Sequence, residues 1–530
     1  MAFHHKKASA GHAEFGVGVF LLLFFLCIPS IIHRAPQYLP PEVEVPAKIP
    51  VPDKHKSLVQ ATVDPGSFSV PDELNTDVPG AITPYPFPCP DGLKAQVEFW
   101  RKIFTEYTTS HVVIHDDWYV NVVYEVINIR SSRFRTRRDG WKAVKAAQKR
   151  YKKLLKNLWK EGRGLDKMTD EEERLYSLFE NIPESTRFRK QDAKDRVRAQ
   201  LGLADKFMAG IVRAGSYLGE MKRIFSLHGL PEELVFIALV ESAFNPHARS
   251  HLGASGMWQF MPRTGEEYNL RARYLADERK DPYLATLAAA QLLAHNYDII
   301  QSWPLAISAY NHGLHGILKA VDRLQSMSIA VIAEHYNGRA FRFASRNFYA
   351  EFLAALEVSK WYTEYYGIIE LSKPLKPVRA RVPHYVAVKT LEEYCFLSAS
   401  DIKELNPVLE PSVFKPEGLI PKGYHLNLWP AQRDAFKSNY SAIPSSLKYR
   451  HIEVKAEHRV KKRESLAKIA KMYHTTVAGL KRMNNLGGSR KIKVGQVLKI
   501  PGDYVPLDHK ENLKSEGKAG ISEKQSDKRG

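Results

Sequence analysis

The sequence is short of cysteine and of acidic residues. Its 530 residues contain only three cysteines, Cys27, Cys89 and Cys395, so a framework of disulfide bonds is not expected. Aspartate and glutamate number 58 against 78 lysines and arginines, which leaves a formal net charge of +20. A charge of this sign favours anionic partners such as nucleic acid, envelope polymers or lipid headgroups. No recognisable nucleic-acid-binding motif accompanies it, so we expect no nucleic acid partner.

Long apolar runs are also scarce, and the clearest one, residues 15–32, lies near the N-terminus behind Lys6 and Lys7. The run is long enough to span a bilayer, and its basic flank should stay cytoplasmic. We therefore interpret residues 1–35 as an uncleaved inner-membrane anchor of a periplasmic protein. A cleaved signal peptide is the alternative, although no small-x-small pattern is present near Ser30. Cys27 raises a lipoprotein option, but Phe24-Phe25-Leu26 lacks the small residues that a lipobox places before the cysteine.

The segments around the central part of the chain differ in composition. Residues 36–90 are rich in proline and read as an extended linker. Residues 91–220 are predicted to be a mainly helical extension, with a hairpin between 111–114 and 122–127. One of its helices carries an apolar stripe from Trp141 to Leu158 among many lysines, which we interpret as a solvated basic face. The tail 503–530 is charged, low in apolar residues and predicted to be disordered.

A carboxylate stands where a short helix should present an apolar side chain. Leu234, Ile237, Ala238 and Glu241 follow one another at i, i+3, i+4 and i+7, so Glu241 belongs to the apolar stripe. Burial disfavours the charged form and raises the pKa, so this acid can stay protonated near neutral pH and act as a general acid. The alternative is a structural glutamate paired with an arginine or a helix N-terminus.

A loop of small residues follows. Gly253-Ala254-Ser255-Gly256 lets the backbone approach a ligand, Trp258 offers an apolar face, and Gln259 offers a donor and an acceptor. Such a loop can line a sugar cleft. Farther along, Ala309-Tyr310-Asn311 ends a helix pattern, with Asn311 or Gly313 able to take the left-handed cap.

Three of these motifs carry a resemblance to a known family. Glu241-Ser242, Gly256-Met257-Trp258-Gln259 and Ala309-Tyr310-Asn311, in this order and spacing, resemble the signature of the lytic transglycosylases with a goose-lysozyme-like SLT domain. The segment resembles the membrane-bound lytic murein transglycosylase D type, and the resemblance covers roughly residues 190–360. It implies a mainly α-helical, lysozyme-like catalytic domain at 221–370, without cofactor or metal. The substrate-binding residues that it implies are Ser242, Met257, Trp258, Gln259, Tyr310 and Asn311.

The resemblance also implies a mechanism on peptidoglycan. Glu241 would protonate the glycosidic oxygen between N-acetylmuramic acid and N-acetylglucosamine, then act as base while the muramyl C6 hydroxyl closes on C1 to give a 1,6-anhydro end. The residues agree in one respect, because ordinary glycosidases need a second carboxylate and the loop supplies none through Thr264. The next acids, which we interpret as surface or capping groups, are Glu266, Glu267, Asp277 and Asp281. A goose-type lysozyme hydrolase and a catalytically silent peptidoglycan-binding scaffold are the alternatives.

One position departs from the family. The segment from Ser345 to Phe352 matches a fourth motif that usually contains an active-site tyrosine, but Phe348 stands there and Tyr349 follows it. Adjacent residues point about 100° apart around a helix. Either Tyr349 binds substrate in its place, or Tyr310 alone supplies the hydroxyl.

The C-terminal region carries a second resemblance. Four short patterns lie within residues 451–502: His458-Arg459-Val460, Glu464 to Ala470, Leu480 to Leu486 and Ile492 to Pro501. Together they resemble a LysM module, which implies a β-α-α-β fold that binds N-acetylglucosamine-containing glycans. The glycan-binding residues that it implies are Glu464, Ser465, Leu466, Asn484, Leu486 and Ile492. Arg463 stands where the family commonly has glycine. Residues 383–430 are interpreted as a degenerate copy with 384–388 as its first strand, and whether this copy binds glycan stays open.

Overall fold

The computed structural model describes residues 86–158, 168–183, 196–273, 275–450, 456–473, 477–487 and 491–500. Helices predominate, and the strands form small antiparallel sheets, so the predicted fold class, mainly α with small β-α-α-β modules, is confirmed. The predicted anchor, nearly all of the linker and the charged tail lie outside the described residues. None of the described helices is long and apolar enough to cross a membrane.

The elements are numbered along the chain. The helices are α1 (Lys94–Thr105), α2 (Arg137–Leu158), α3 (Asp170–Ser177), α4 (Ala204–Ala214), α5 (Leu218–Leu227), α6 (Ile237–Ser242), α7 (Pro262–Glu267), α8 (Pro282–Ile300), α9 (Trp303–His312), α10 (Leu314–Leu324), α11 (Ile329–His335), α12 (Phe343–Lys360), α13 (Tyr362–Tyr366), α14 (Val388–Cys395), α15 (Ala399–Leu405), α16 (Arg433–Ala442), α17 (Leu466–Met472) and α18 (Val477–Met483). The strands are β1 (His111–Asp116), β2 (Val123–Asn128), β3 (Val197–Leu201), β4 (Val378–Arg381), β5 (His425–Leu428), β6 (Ala456–Arg459) and β7 (Val497–Ile500).

The chain divides into two compact units. The first unit holds the described residues of 22–205 and 295–367, and the second unit holds those of 206–294 and 368–530. Helices α4 and α8 are described with the second unit, in which most of their residues lie. The motif of Glu241 and the motif of Tyr310 therefore belong to different units.

The first unit contains a three-stranded sheet in the order β2-β1-β3, with β1 antiparallel to both neighbours. The predicted hairpin is confirmed as β1 and β2. Helix α2 buries Val144, Tyr151 and Leu155 against this sheet, which accounts for the apolar stripe in its sequence. Strand β3 is a correction to the predicted helical extension. It pairs with residues far away in the chain, and such a partner leaves no signal in a local pattern.

Helix α12 is the centre of the helical part of the first unit. Nearly all of its residues between Phe343 and Val358 are buried, so this part of the helix has no solvent-exposed face and its sequence has no amphipathic pattern. Helix α1 packs along it, where Trp100 Nε1 donates to Asn347 Oδ1 at 3.4 Å. This packing decides which face each residue of α12 presents.

The second unit ends in the predicted LysM fold. Strands β6 and β7 pair antiparallel around α17 and α18, which confirms the β-α-α-β order. Its small core consists of Val460, Leu466, Ile469, Ala470, Leu480, Leu498 and Ile500. Arg463 has φ 68°, the left-handed region that favours glycine, which explains why glycine is common at this position in the family.

The predicted degenerate copy has the same topology, with a correction to its first strand. Strand β4 pairs antiparallel with β5, and α14 and α15 lie between them in the chain. The predicted strand 384–388 is instead the loop after β4. Tyr385 and Val386 make single bridges to Tyr449 and Ile420 there, so their apolar character reflects burial in a loop.

Candidate active site

Glu241 lies in the last turn of the short helix α6, which a 3₁₀ helix (Glu232–Phe236) precedes. The helix stops at once because Ala243 and Phe244 have φ 53° and 52°, a left-handed conformation that is costly for residues other than glycine. The Arg213 guanidinium stabilises this turn by donating to the Ala243 carbonyl. The local chain thus holds Glu241 at a fixed helix end.

The carboxyl group of Glu241 is desolvated and unpaired, although the residue as a whole keeps part of its surface exposed. The four residues before it in α6, from Ile237 to Val240, are all buried, and Glu241 itself is half-buried. It forms no hydrogen bond or ion pair with any residue in the described part of the chain. Burial raises the pKa of Glu241 to about 8, because a charge in an apolar surrounding loses its hydration. The alternative of a glutamate paired with an arginine is therefore not supported.

The loop after α6 is tied back to the helix end that carries Glu241. Ser242 Oγ donates to the Met257 carbonyl at 2.8 Å. Gln259 Nε2 donates to the Gly256 carbonyl at 2.8 Å, and Gln259 itself has φ 49°. The second unit therefore brings together two of the three predicted motifs, Glu241-Ser242 and residues 256–259.

Two predicted substrate-binding residues of this loop are buried, which corrects their role. Met257 and Trp258 are 1% and 0% exposed, and Trp258 Nε1 donates to Thr286 Oγ1 at 2.9 Å. These two side chains therefore support the loop from the protein interior. Gln259 is half-buried, so it is the residue of this motif that keeps part of its side chain at the surface.

An ion pair that the sequence did not reveal holds the loop in shape. Arg279 is 3% exposed and pairs with Asp277 at 2.8 Å. Its Nη1 also donates to the carbonyls of Gly253 and Phe260 at 2.7 and 2.9 Å. The guanidinium therefore clamps both ends of the segment 253–260. Only the crowding of charges between Asp277 and Asp281 next to a glycine loop could have suggested it.

The other candidate acids have structural roles. Asp281 caps α8 by accepting from the backbone of Tyr283 and Leu284 at 2.9 and 3.0 Å, as predicted. Glu267 is exposed and pairs with Arg263 at 2.8 Å. Asp277 caps the 3₁₀ helix Glu278–Lys280 by accepting from the Arg279 backbone at 3.2 Å, as predicted, and it is buried in the pair with Arg279.

Glu278 is a second buried acid, which the sequence analysis did not single out. Its carboxylate accepts from the Arg271 backbone at 2.8 Å, and burial raises its pKa to about 7. Unlike Glu241, it has a hydrogen-bond partner, and this partner belongs to the loop before the segment 276–281. We therefore assign it to the fold.

Gly256 should be irreplaceable in this loop. It has φ 81°, and a Cβ there would lie 1.8 Å from the Arg279 carbonyl oxygen. We expect Gly256→Ala to lower the free energy of unfolding by about 3 kcal/mol or more, through strain and overlap with backbone. The control is Gly253→Ala, since Gly253 has φ 94° but an added Cβ would meet only Pro262 at 3.9 Å. Equal melting temperatures for the two variants would contradict the close approach.

The third predicted motif lies in the first unit, at the end of α9. Ser345 Oγ donates to Asn311 Oδ1 at 3.0 Å and lies 3.1 Å from His312 Nδ1. The Tyr310 ring stacks on Phe348, with the ring centroids 6.4 Å apart. Gly313 ends the helix with φ 89° and ψ 138°, so it stands at the predicted cap position but does not adopt the left-handed helical conformation that was predicted. The sequence analysis did not single out Ser345 and His312, which join α9 to α12.

Tyr349 is a core residue, which corrects its prediction as a substrate-binding group. It is 1% exposed, and its hydroxyl donates to the Pro88 carbonyl at 2.8 Å. Phe348 and Tyr349 point to different sides of α12, and the side that faces Tyr310 carries phenylalanine. Of the two tyrosines considered, only Tyr310 is outside the core, where it is half-buried.

Several predicted glycan-binding residues of the LysM module hold the module together. Glu464 is buried, 2.7 Å from His458 Nε2, and accepts from the Lys461 backbone at 2.7 Å. Asn484 Nδ2 donates to the carbonyls of two neighbours, and Leu466 belongs to the core. Ser465 is exposed, while Leu486 and Ile492 are half-buried at the edge of this core.

Comparison with known proteins agrees with both predicted resemblances. The transglycosylase SLT domain model matches residues 226–332, and the LysM domain model matches residues 458–501. The chain is 28% identical over 341 residues to membrane-bound lytic murein transglycosylase D of Escherichia coli (strain K12), which covers 60% of this chain and 70% of that protein. It is 33% identical over 126 residues to membrane-bound lytic murein transglycosylase C of Haemophilus ducreyi, which covers 21% of this chain and 34% of that protein.

Proposed function

The chain is a lytic transglycosylase with an SLT domain and a LysM domain, and we propose that Glu241 is its only acid–base residue. The proposed substrate is peptidoglycan, cleaved at the β-1,4 bond between N-acetylmuramic acid and N-acetylglucosamine. The observation that carries the proposal is the unpaired, desolvated carboxyl of Glu241, whose pKa of about 8 keeps it protonated at neutral pH.

The proposed reaction uses this one group twice. The Glu241 carboxylic acid gives its proton to the glycosidic oxygen as the bond from that oxygen to C1 of the muramyl residue breaks. The resulting carboxylate then takes the proton of the muramyl C6 hydroxyl while the oxygen of that hydroxyl bonds to C1. The 1,6-anhydro end forms, Glu241 is protonated again, and no water is consumed.

The contacts that the neighbouring acids make with other residues favour this route over hydrolysis. A hydrolase needs a second carboxylate as nucleophile or as base for water. Asp277 is held by Arg279, and Asp281 by the start of α8. Within the described part of the second unit, these acids are thus engaged in the fold.

Product analysis tests the proposal directly. Digestion of purified sacculi followed by mass spectrometry should give anhydromuramic ends. Reducing muramic acid ends would identify a goose-type lysozyme hydrolase. Binding without any soluble product would identify a silent scaffold.

The pH profile should report the buried acid. Because Glu241 must be protonated to act, kcat/KM should fall as the pH rises through about 8, not through the ordinary range of a glutamic acid. Glu278 has a pKa of about 7, so the same profile is measured on Glu278→Gln, which should keep the alkaline limb. A midpoint near the ordinary glutamate value would contradict the buried-acid argument.

We also propose a periplasmic location, with the chain anchored in the inner membrane by residues 15–32. The support is the apolar run with its basic flank and the membrane-bound relatives. Anchoring would keep the enzyme on the inner membrane while residues 36–90 let the other domains reach the wall. Membrane fractionation of the intact chain, compared with a chain in which a cleavable signal peptide replaces residues 1–35, tests this proposal. Recovery of both in the soluble periplasmic fraction would indicate cleavage.

A further inference from the structure

The modules at 378–428 and 456–500 share one backbone frame. In the first, the Gly423 N–H donates to the Val382 carbonyl at 2.7 Å, directly after β4. In the second, the Gly495 N–H donates to the Val460 carbonyl at 2.7 Å, directly after β6. Both helical pairs begin six residues after these valines, at Val388 and Leu466.

An asparagine makes the same contacts in both modules. Each asparagine follows the second helix, donates to the carbonyl four residues earlier, and exchanges two hydrogen bonds with one residue of the last strand. The pairs are Asn406 with Ile402 and Asn427, and Asn484 with Leu480 and Lys499. The module at 378–428 is therefore a complete LysM-type fold.

The two modules differ where the family binds glycan, between the loop after the first strand and the loop before the last. In the module at 378–428 these loops are joined, because the Ile420 N–H donates to the Val386 carbonyl at 2.8 Å. Tyr385 and Tyr449 exchange two further backbone hydrogen bonds of 2.9 and 3.0 Å. Among the described residues of the other module, the backbone hydrogen bonds between the corresponding loops are those of Val460 with Gly495 and Gln496, and none of them is made at Glu464 and Ile492, the positions equivalent to Val386 and Ile420. The first groove is closed.

The loop before β5 has a different partner. The Asp277 N–H donates to the Val408 carbonyl at 2.8 Å, and the Glu410 N–H donates to the Leu275 carbonyl at 2.9 Å. This short antiparallel pairing fastens the loop to the segment 275–281. The same segment contains Arg279, which clamps the loop 253–260 beside Glu241.

The Glu410 side chain strengthens this attachment. Its carboxylate lies 2.7 Å from Lys280 Nζ, with the two side chains 15% and 7% exposed. The carboxylate also lies 3.9 Å from Arg249 Nη1. Arg249 forms a backbone bridge with Ser255 inside the loop 253–260, which we call the catalytic loop. One carboxylate thus faces cations on both sides of that loop.

We infer that the module at 378–428 has exchanged glycan binding for a positioning task, in which Glu410 holds the catalytic loop through Lys280 and Arg249. This inference rests on the proposed function, since the loop matters through its position beside Glu241. Removing the Glu410 charge leaves Lys280 buried without its carboxylate, so the segment 275–281 must shift to hydrate it. The loop 253–260, which Ser242 ties to the helix end of Glu241, then loses its support.

The test compares Glu410→Gln with Glu417→Gln in the full-length chain. Glu417 is the control because it is an exposed acid of the same loop before β5. Steady-state kinetics on a short soluble glycan are measured at a temperature where circular dichroism shows both variants folded. Glu410→Gln should lower kcat about tenfold to a hundredfold. The alkaline midpoint of kcat/KM should also fall, because water reaches Glu241. Glu417→Gln should match the wild type.

The outcomes separate this inference from the proposed function. If the wild type produces no anhydro ends, the proposed function fails before the comparison begins. If the wild type produces them and Glu410→Gln has the kcat and the alkaline midpoint of Glu417→Gln, the positioning role is wrong. A lower melting temperature of Glu410→Gln with unchanged kinetics also overturns it, because it indicates a contribution to stability alone.

Discussion

Glu241→Gln should lower the turnover of peptidoglycan by at least about 10² to 10⁴, the range attributed to general acid catalysis. Glutamine has nearly the shape of glutamic acid, but it has no proton of suitable pKa to give to the leaving oxygen. The carboxyl of Glu241 makes no hydrogen bond or ion pair among the described residues, so the substitution removes no contact that holds α6. Sacculus binding through the LysM module should be unchanged.

The stability of the same variant gives an independent check. In the wild type the pKa of Glu241 is raised from 4.5 to about 8 in the folded state, so the unfolded state binds fewer protons between these values. The free energy of unfolding therefore decreases as the pH rises through this window. Glu241→Gln lacks this loss and should be at least as stable at neutral pH.

The matched control is Glu267→Gln, which removes an exposed acid paired with Arg263 and should leave turnover unchanged. Turnover is measured on sacculi, and the melting temperature by circular dichroism. Near-wild-type activity of Glu241→Gln would remove Glu241 from the mechanism. A melting temperature that falls by several degrees would identify a structural glutamate.

The parts of the fold that the sequence predicted are those with local causes. The position of Glu241 followed from the spacing of Leu234, Ile237 and Ala238, and the structure places these neighbours in the interior. The β1–β2 hairpin and the LysM fold followed from short patterns with near neighbours. Arg463 was identified as unusual through the family resemblance, and its φ of 68° gives the local reason for the family's glycine.

The side on which a buried residue faces could not be predicted in the same way. Helix α12 is buried nearly all round, so no periodicity distinguishes Phe348 from Tyr349. Trp258 was predicted to face substrate because its ring offers an apolar face. In the structure, its hydrogen bond to Thr286 decides its direction. In each case the deciding contact is with a residue distant in the chain.

The attachment of the module at 378–428 is the largest difference from the predicted organisation. The sequence predicts a catalytic domain that ends at 370, followed by a separate module at 383–430. In the structure, Leu275 and Ala276 belong to the same apolar core as Val382, Leu391 and the other buried residues of that module. The sequence does not reveal this shared core, because the residues that each part of the chain contributes to it form an ordinary apolar pattern.

Chains that end after residue 375 and after residue 450 should therefore behave in opposite ways. The shorter chain loses most of the core around Leu275, together with the Glu410 partner of Lys280. We expect it to lose turnover of short soluble glycan almost completely, because the segment 275–281 no longer supports the loop 253–260. Circular dichroism should show a lower melting temperature.

The longer chain loses only the module at 456–500 and the residues after it. That module has its own core, from Val460 to Ile500, so its removal takes no residue from the core of the module at 378–428. Turnover of soluble glycan should stay close to that of the full chain. Digestion of sacculi at low enzyme concentration should slow, because the second attachment that raises the local concentration on the polymer is gone. If the chain ending after residue 375 cleaves soluble glycan as well as the chain ending after residue 450, the catalytic domain is independent of the module at 378–428, and its assignment as a support is wrong.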